Sequence, residues 1–384
     1  MRSALPSQLA EVHYRISGHE TFPCRYTWLP KAVRNLRELP ALFSDEDAAM
    51  VRLGVGKNMV RSIRFWADAA DVIQKPHSNS KSEGQESLKQ PILLEKAKSE
   101  YRTSKPINNG VSDWVVSEFG NAVFGQDGHD QFLEDIKTLW LIHWKLSTST
   151  PAPLFAWHYL LNFWHRPDFT RTEALTAFTH EIERLGKKPS AVTLDHHFTT
   201  FLHTYVPTRG KKGEVLEDNL DCPLVELQLI QKVGERPTGD SNRHEAIYAF
   251  RVEEKPDISP ELFIYCLEEF WAKRHASEKT LTFREIAVGE GGPGQAFKLP
   301  EHDIRERLES IEKDSNGRLL YQESAAFQQV ARAEHSRPTD LLDRIYRNPA
   351  DTPRSQSTPP YRSGLQEPVV AYGTKKGRRR FRAG

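Results

Sequence analysis

Four groups of residues have types and spacings suited to chemistry on a phosphodiester backbone. The first is cationic. Lys57, Arg61 and Arg64 recur at i, i+4 and i+7, with Asn58 beside Lys57. On one helix these would form a single face, where an arginine fork meets guanine, asparagine meets adenine and lysine meets phosphate. The second is His19-Glu20, after Gly18 and before Phe22-Pro23, with Arg25 close behind. A His-Glu pair can serve as base and metal ligand with Arg25 on a phosphate; equally, the pair can lock this segment onto the core. The third is Asp135-Ile136-Lys137, preceded by Asp127 and Asp130. This D-x-K string occurs in restriction-type nucleases, but there it lies on a strand, and here the surrounding sequence reads as an apolar helix. Asp135 as a helix starter or pin is the competing reading. The fourth is Asp195-His196-His197 with His203, where His196 and His203 lie seven apart on one helical face and Asp195 could orient or ligate. A helix start with interior histidines accounts for the same residues.

Strand scission needs metal-bound carboxylates or an attacking nucleophile. No cofactor signature is evident, so a divalent ion such as magnesium enters only as what a nickase would require. The glycine string from Gly289 to Gly294 is interrupted by Pro293 and lacks a following Lys-Ser/Thr. It reads as a surface turn rather than a phosphate loop.

The elements that must position these groups follow from punctuation and periodicity. A helix is expected from Pro30 to about Leu39, closed by Pro40. Ser44 is the expected N-cap of the next helix, whose first turn carries Asp45, Glu46 and Asp47 and which runs to Gly54-Val55-Gly56. A third helix spans about Lys57–Val72, with Met59, Ile63, Trp66 and Ala70 as its buried stripe. Two helices and a short glycine turn have the layout of a helix-turn-helix. The polar stretch 74–110 and a strand at Trp114–Val116 then suggest a wing. An apolar helix follows over Phe132–Leu146.

Beyond it, helices are expected at Leu154–Trp164, Thr172–Leu185, Thr193–Tyr205 and Ser259–His275. Polar loops are expected at 208–220 and 231–245, and a strand near Arg318–Tyr321. The fold class read from this pattern is mainly α with small β elements (α+β). It divides into a leader at 1–16, a winged-helix-like domain at 17–146 with the 74–110 insertion, a mostly helical domain at 147–346 and a disordered basic tail at 347–384.

Composition narrows the class. Of 384 residues 38% are hydrophobic and 27% charged, enough for a folded core. The three cysteines are isolated and form no CxxC pair, which speaks against a disulfide framework or zinc ribbon. No run approaches the roughly 20 apolar residues of a membrane span, so a cytoplasmic protein is expected. Net charge is only +1, but it is unevenly placed. From residue 346 onward nine Lys/Arg, among them Lys375, Lys376, Arg378, Arg379 and Arg380, face two acidic residues. Such an arm adds sequence-independent affinity for nucleic acid.

Three blocks carry a further signal: SGHETFPCRYTWLPK, DEDAAMVRLGVGKNMVRSIRFWADAADVI, and EFGNAVFG with LEDIKTLWLIHWKL. With them the chain resembles the SspB-type family of bacterial single-strand DNA phosphorothioation (SspABCD) loci, over about residues 13–345. The resemblance implies a double-stranded DNA partner and a role in phage defence. It also implies nicking that lets sulfur replace a phosphate oxygen. The implied partners are a cysteine desulfurase, a PAPS-reductase-like protein and an ATPase. It assigns no catalytic residue. A non-enzymatic DNA-specificity subunit and a transcriptional regulator of a defence locus remain open, as does homo-oligomerisation.

Overall fold

The N-terminal elements in the computed structural model begin where side chains can cap them. The structure describes residues 13–76, 114–207, 222–237, 244–333 and 338–347. Most of the leader, the 74–110 insertion, the 208–220 loop and nearly all of the basic tail therefore lie outside the described residues.

Helix α1 spans Trp28–Glu38, two residues earlier than Pro30 suggested. Pro30 is tolerated there because first-turn amides have no intrahelical acceptor. Helix α2 covers Glu46–Leu53. Its cap is Asp45 rather than Ser44, accepting from the amides of Asp47 and Ala48 at 3.0 and 3.1 Å. Gly54 ends it at φ 65°, a left-handed conformation that favours glycine. Helix α3 spans Lys57–Ala69 and buries Val60, Ile63, Trp66 and Ala67. Met59, assigned to the buried stripe by spacing, is only half-buried.

A two-residue antiparallel pair follows, β1 (Ile73–Gln74) with β2 (Val115–Val116). Helix α4 spans Glu118–Phe124, capped by Ser117. Helix α5 spans Ile136–Ser147 and starts later than the expected Phe132, because Asp135 caps it through the Lys137 amide at 2.9 Å. Ten of its residues are buried, so it has no solvent face and no useful amphipathic signal.

The remainder packs around α5. Helices α6 (Phe155–Asn162), α7 (Arg171–Arg184) and α8 (Ala191–Tyr205) match the expected helices to within a few residues. Strand β3 (Asp168–Thr170) joins β4 (Ile230–Pro237) and β5 (His244–Phe250) in the order β3-β5-β4, all antiparallel. This corrects the expected polar loop at 231–245, which is largely a hairpin. Helix α9 (Pro260–Arg274) is buried along most of its length. After it come β6 (Thr280–Thr282), α10 (Phe283–Val288), α11 (Pro293–Phe297), α12 (Glu301–Glu309) and α13 (Ile311–Asp314). Strands β7 (Leu319–Glu323) and β8 (Gln328–Arg332) complete a second sheet, β6-β8-β7, and α14 (Pro338–Tyr346) closes the described fold.

The architecture is thus α+β, helical with small antiparallel sheets. A core rich in tryptophan links its ends: Trp66 of α3 meets Trp157 of α6 edge-on at 5.8 Å. The described residues up to Tyr346 form one compact unit.

Candidate nucleic-acid interface

Helix α3 turns its N-terminal half outward. Lys57 and Asn58 are exposed and Arg61 and Arg64 half-exposed, while Ile63 and Trp66 hold the opposite side in the core. The structure thus gathers the four residues of the cationic group on one helix.

It adds a partner that spacing did not reveal. Glu46, in the first turn of α2, accepts from Arg61 Nε at 2.8 Å and Nη2 at 3.2 Å, and lies 2.9 Å from Lys57 Nζ. Arg61 and then Lys57 hold the Glu46 carboxyl down at about 2. Two of the four donors are therefore paired with an acid that the sequence reading had assigned to the helix dipole. Arg64 has no ionic partner among the described residues.

The turn carrying His19 and Glu20 is strapped to the inner edge of the same helix. Ser62 Oγ donates to the His19 carbonyl at 2.8 Å and Trp66 Nε1 to that of Phe22 at 2.9 Å. Glu20 and Thr21 hold φ of 48° and 67°. Positive φ is costly for a β-branched residue such as Thr21 and persists only where surrounding contacts over-determine it. The Phe65 ring also closes over Gly18, where a Cβ would come within 2.9 Å of it.

Inside this turn His19 is buried. Its Nδ1 accepts from the Thr21 amide at 3.1 Å, and its Nε2 lies 3.2 Å from Nδ1 of His197. His197 Nε2 in turn accepts from the Ala156 amide at 3.0 Å. Burial pushes His19 down to about 4 and His197 well below its ordinary value, so both rings are neutral. Each ring nitrogen of the pair thus has a protein neighbour within 3.2 Å. The structure places Arg25 with its guanidinium over the Trp28 ring at 5.6 Å.

The other candidates serve as caps or ion pairs. Asp135 caps α5, and Asp130 accepts from the amides of Glu134 and Asp135 at 2.8 and 3.0 Å. No nuclease-type strand carries the D-x-K string. Asp195 pairs with Arg171 across α7 and α8. Of the histidines on α8 it is His197 that is buried; His196 is exposed and His203 half-buried. The expected His196–His203 face is thus not the one that makes contact.

Two constellations escaped the sequence reading. Tyr14 donates to His158 Nδ1 at 3.2 Å, and His158 Nε2 donates to Glu290 at 3.0 Å, where Arg274 also binds at 3.0 Å. The order hydroxyl, imidazole, carboxylate is that of an activated nucleophile. Burial, however, raises the Tyr14 hydroxyl well above its usual range, and its ring is enclosed by Phe155 and His158. The network therefore ties residue 14 to α6 and the turn before α11. Its members lie up to 276 positions apart in the chain, beyond the reach of any local pattern.

The second is His275, Glu278 and Glu285, whose ligand atoms lie within 4.8 Å of one another. Glu285 also accepts from the Thr282 amide and hydroxyl at 2.7 and 2.8 Å in a capping box. Magnesium prefers an all-oxygen octahedron. An imidazole with two carboxylates, one already occupied by a cap, does not fit it. Among the described residues no helix is long and apolar enough to cross a membrane.

Comparison with solved structures places the fold beside two crystal structures of SspB. One, described as the magnesium ion-bound SspB crystal structure, aligns at a TM-score of 0.69 with 24% identity, covering 89% of this chain and 90% of that one. The other, described as the SspB crystal structure, aligns at 0.69 and 24%, covering 88% and 90%. No curated protein matches significantly. A family model matches residues 16–346, nearly all of the described fold, and the chain accordingly belongs to the family described as Protein of unknown function (DUF4007).

Proposed function

We infer that this chain is the DNA-binding component of a phosphorothioation system of the SspB kind. The observation that carries this reading is the outward half of α3, with Asn58 and Arg64 available and Lys57 and Arg61 held by an exchangeable carboxylate. Donors at the start of the second helix of such a pair are where base edges and phosphates are met. Glu46 occupies the cations until a phosphate displaces it. The likeness of fold to SspB gives the binding a context. In that setting the cysteine desulfurase, PAPS-reductase-like and ATPase partners supply and insert the sulfur, and this chain brings the duplex.

Strand nicking is the finer reading, with a divalent ion such as magnesium as its cofactor; the magnesium-bound state of one similar structure supports it. A second reading, a specificity subunit without scission, is favoured by the engagement of His19, Asp135 and Asp195 in caps, rings and ion pairs. Supercoiled plasmid incubated with the purified chain and magnesium distinguishes them. Open circles that EDTA abolishes establish nicking. Retention of intact plasmid in a gel shift establishes the specificity subunit. A footprint confined to the protein's own promoter would instead indicate a regulator. Failure to retain any duplex rejects the DNA reading itself.

A further inference from the structure

Helix α1 has a second basic face, and something sits opposite it. Trp28, Ala32, Val33 and Leu36 point inward, while Lys31, Arg34 and Arg37 at i, i+3 and i+6 line an open cavity of about 560 Å³. That volume falls within the range of about 300–1,000 Å³ for small-ligand pockets. One acid, Glu38, also lines the cavity and is ion-paired with Arg52 of α2. The cavity is therefore strongly cationic.

Its far wall is the loop between α4 and α5, which brings Gln126, Gln131 and Phe132 to the cavity. Phe132 is 68% exposed. Neighbouring Leu133 is buried and held at φ 62°. A left-handed leucine is costly. The surroundings enforce it: buried Asp130 clamps the amides of Glu134 and Asp135, and the Asp130 amide is itself bonded to Val123 O at 2.9 Å. Asp130 and Asp135, which the sequence offered as scissile acids, are thus the buttress that turns Phe132 outward.

Cations that track a backbone, beside an exposed aromatic ring, are the combination that binds single-stranded nucleic acid. Gln131 Nε2 donates to the Gln126 carbonyl, and the Gln126 side-chain amide adds a donor and an acceptor suited to a base edge. Lys31 also donates to Leu53 O at 3.2 Å, at the end of α2. One residue therefore belongs both to the cavity wall and to the turn leading into α3.

The geometry points to a single-strand site: an unstacked nucleotide of DNA enters this cavity, its base on Phe132 and its flanking phosphates on Lys31, Arg34 and Arg37. This site deepens the DNA-binding reading and rests on it.

The test uses the full chain, a fluorescent oligo-dT and a duplex of equal length, followed by anisotropy. Phe132→Ala and Arg34→Gln are each expected to weaken oligo-dT binding about tenfold, the scale of one stacked base, with duplex binding changed less than about twofold. Asn58→Ala with Arg64→Ala should do the reverse. Bromouracil substituted into the oligonucleotide should crosslink to the 124–132 loop. Unchanged oligo-dT affinity in both cavity variants overturns the site while leaving duplex reading by α3 intact. So does equal loss for single strand and duplex, or full competition by polyglutamate, which would mark a general polyanion patch. Loss of duplex binding in every variant and in the parent chain would instead reject the DNA reading on which the site rests.

Discussion

Glu46 alters what the cationic residues of α3 can do. Arginine and lysine at solvent-exposed positions gain little from a single ion pair, so Glu46 does not lock Arg61 and Lys57 in place. In the proposed function it screens them until a phosphate displaces it. Glu46→Gln should therefore raise duplex affinity a few-fold at low salt and steepen the salt dependence by about one phosphate contact. Anisotropy over a salt series measures both. Unaltered affinity and slope would mean that the duplex does not reach the start of α3.

Buried histidines make a second residue-level prediction. Burial holds His19 and His143 down at about 4 in the folded chain, against an unfolded value of about 6.5. Between these values the unfolded state binds more protons, so stability rises with pH. It is fully present above 6.5 and is lost as pH falls from 6.5 toward 4. Urea midpoints should decline from pH 7 to pH 5, each histidine contributing on the order of 1 kcal/mol per pH unit within that window. His143→Gln should lower stability overall and flatten the slope. A parent chain equally stable at both values would show that these rings are protonated in the fold.

Among the elements, α3 carries core residues on one side and the proposed duplex-binding residues on the other. Trp66 is fully buried, donates to Phe22 O and packs on Phe65 and Trp157. Trp66→Ala removes all of this and should cost about 3–5 kcal/mol, read as a shift in the denaturation midpoint. A cost under about 1 kcal/mol would mean that the α3–α6 contact is not part of the core.

Helices with caps and one apolar face were legible from sequence: α2, α3, α7 and α8 start within a few residues of their Ser, Thr, Asp or glycine signals. The β4–β5 hairpin was not. Strand β4 exposes most of its side chains, so Gln231, Lys232 and Glu235 give no alternation of apolar and polar residues. The Asp135 string was legible as a motif but misleading as chemistry, because a carboxylate preceding a helix is equally well spent on its amides. The basic face of α1 was passed over because the loop that completes it lies about 90 positions further along the chain.

On the scale of the whole molecule, one compact unit joins three things that local patterns left apart. The strained turn at Gly18–Thr21 is pinned to α3, the His19–His197 pair ties that turn to α8, and the α4–α5 loop completes the cavity on α1. Family membership and fold were recoverable from blocks of sequence because those blocks are the parts packed together. The His19–His197 contact was not, since it joins residues 178 positions apart.

The central claim is that the outward half of α3 reads duplex DNA. Its most direct measurement is duplex affinity of the full chain against that of Asn58→Ala with Arg64→Ala, with folding checked by melting temperature. The double variant is expected to melt like the parent and to bind at least about tenfold more weakly, the scale of a bidentate base contact with a phosphate contact beside it. A folded double variant that binds duplex as tightly as the parent would contradict it.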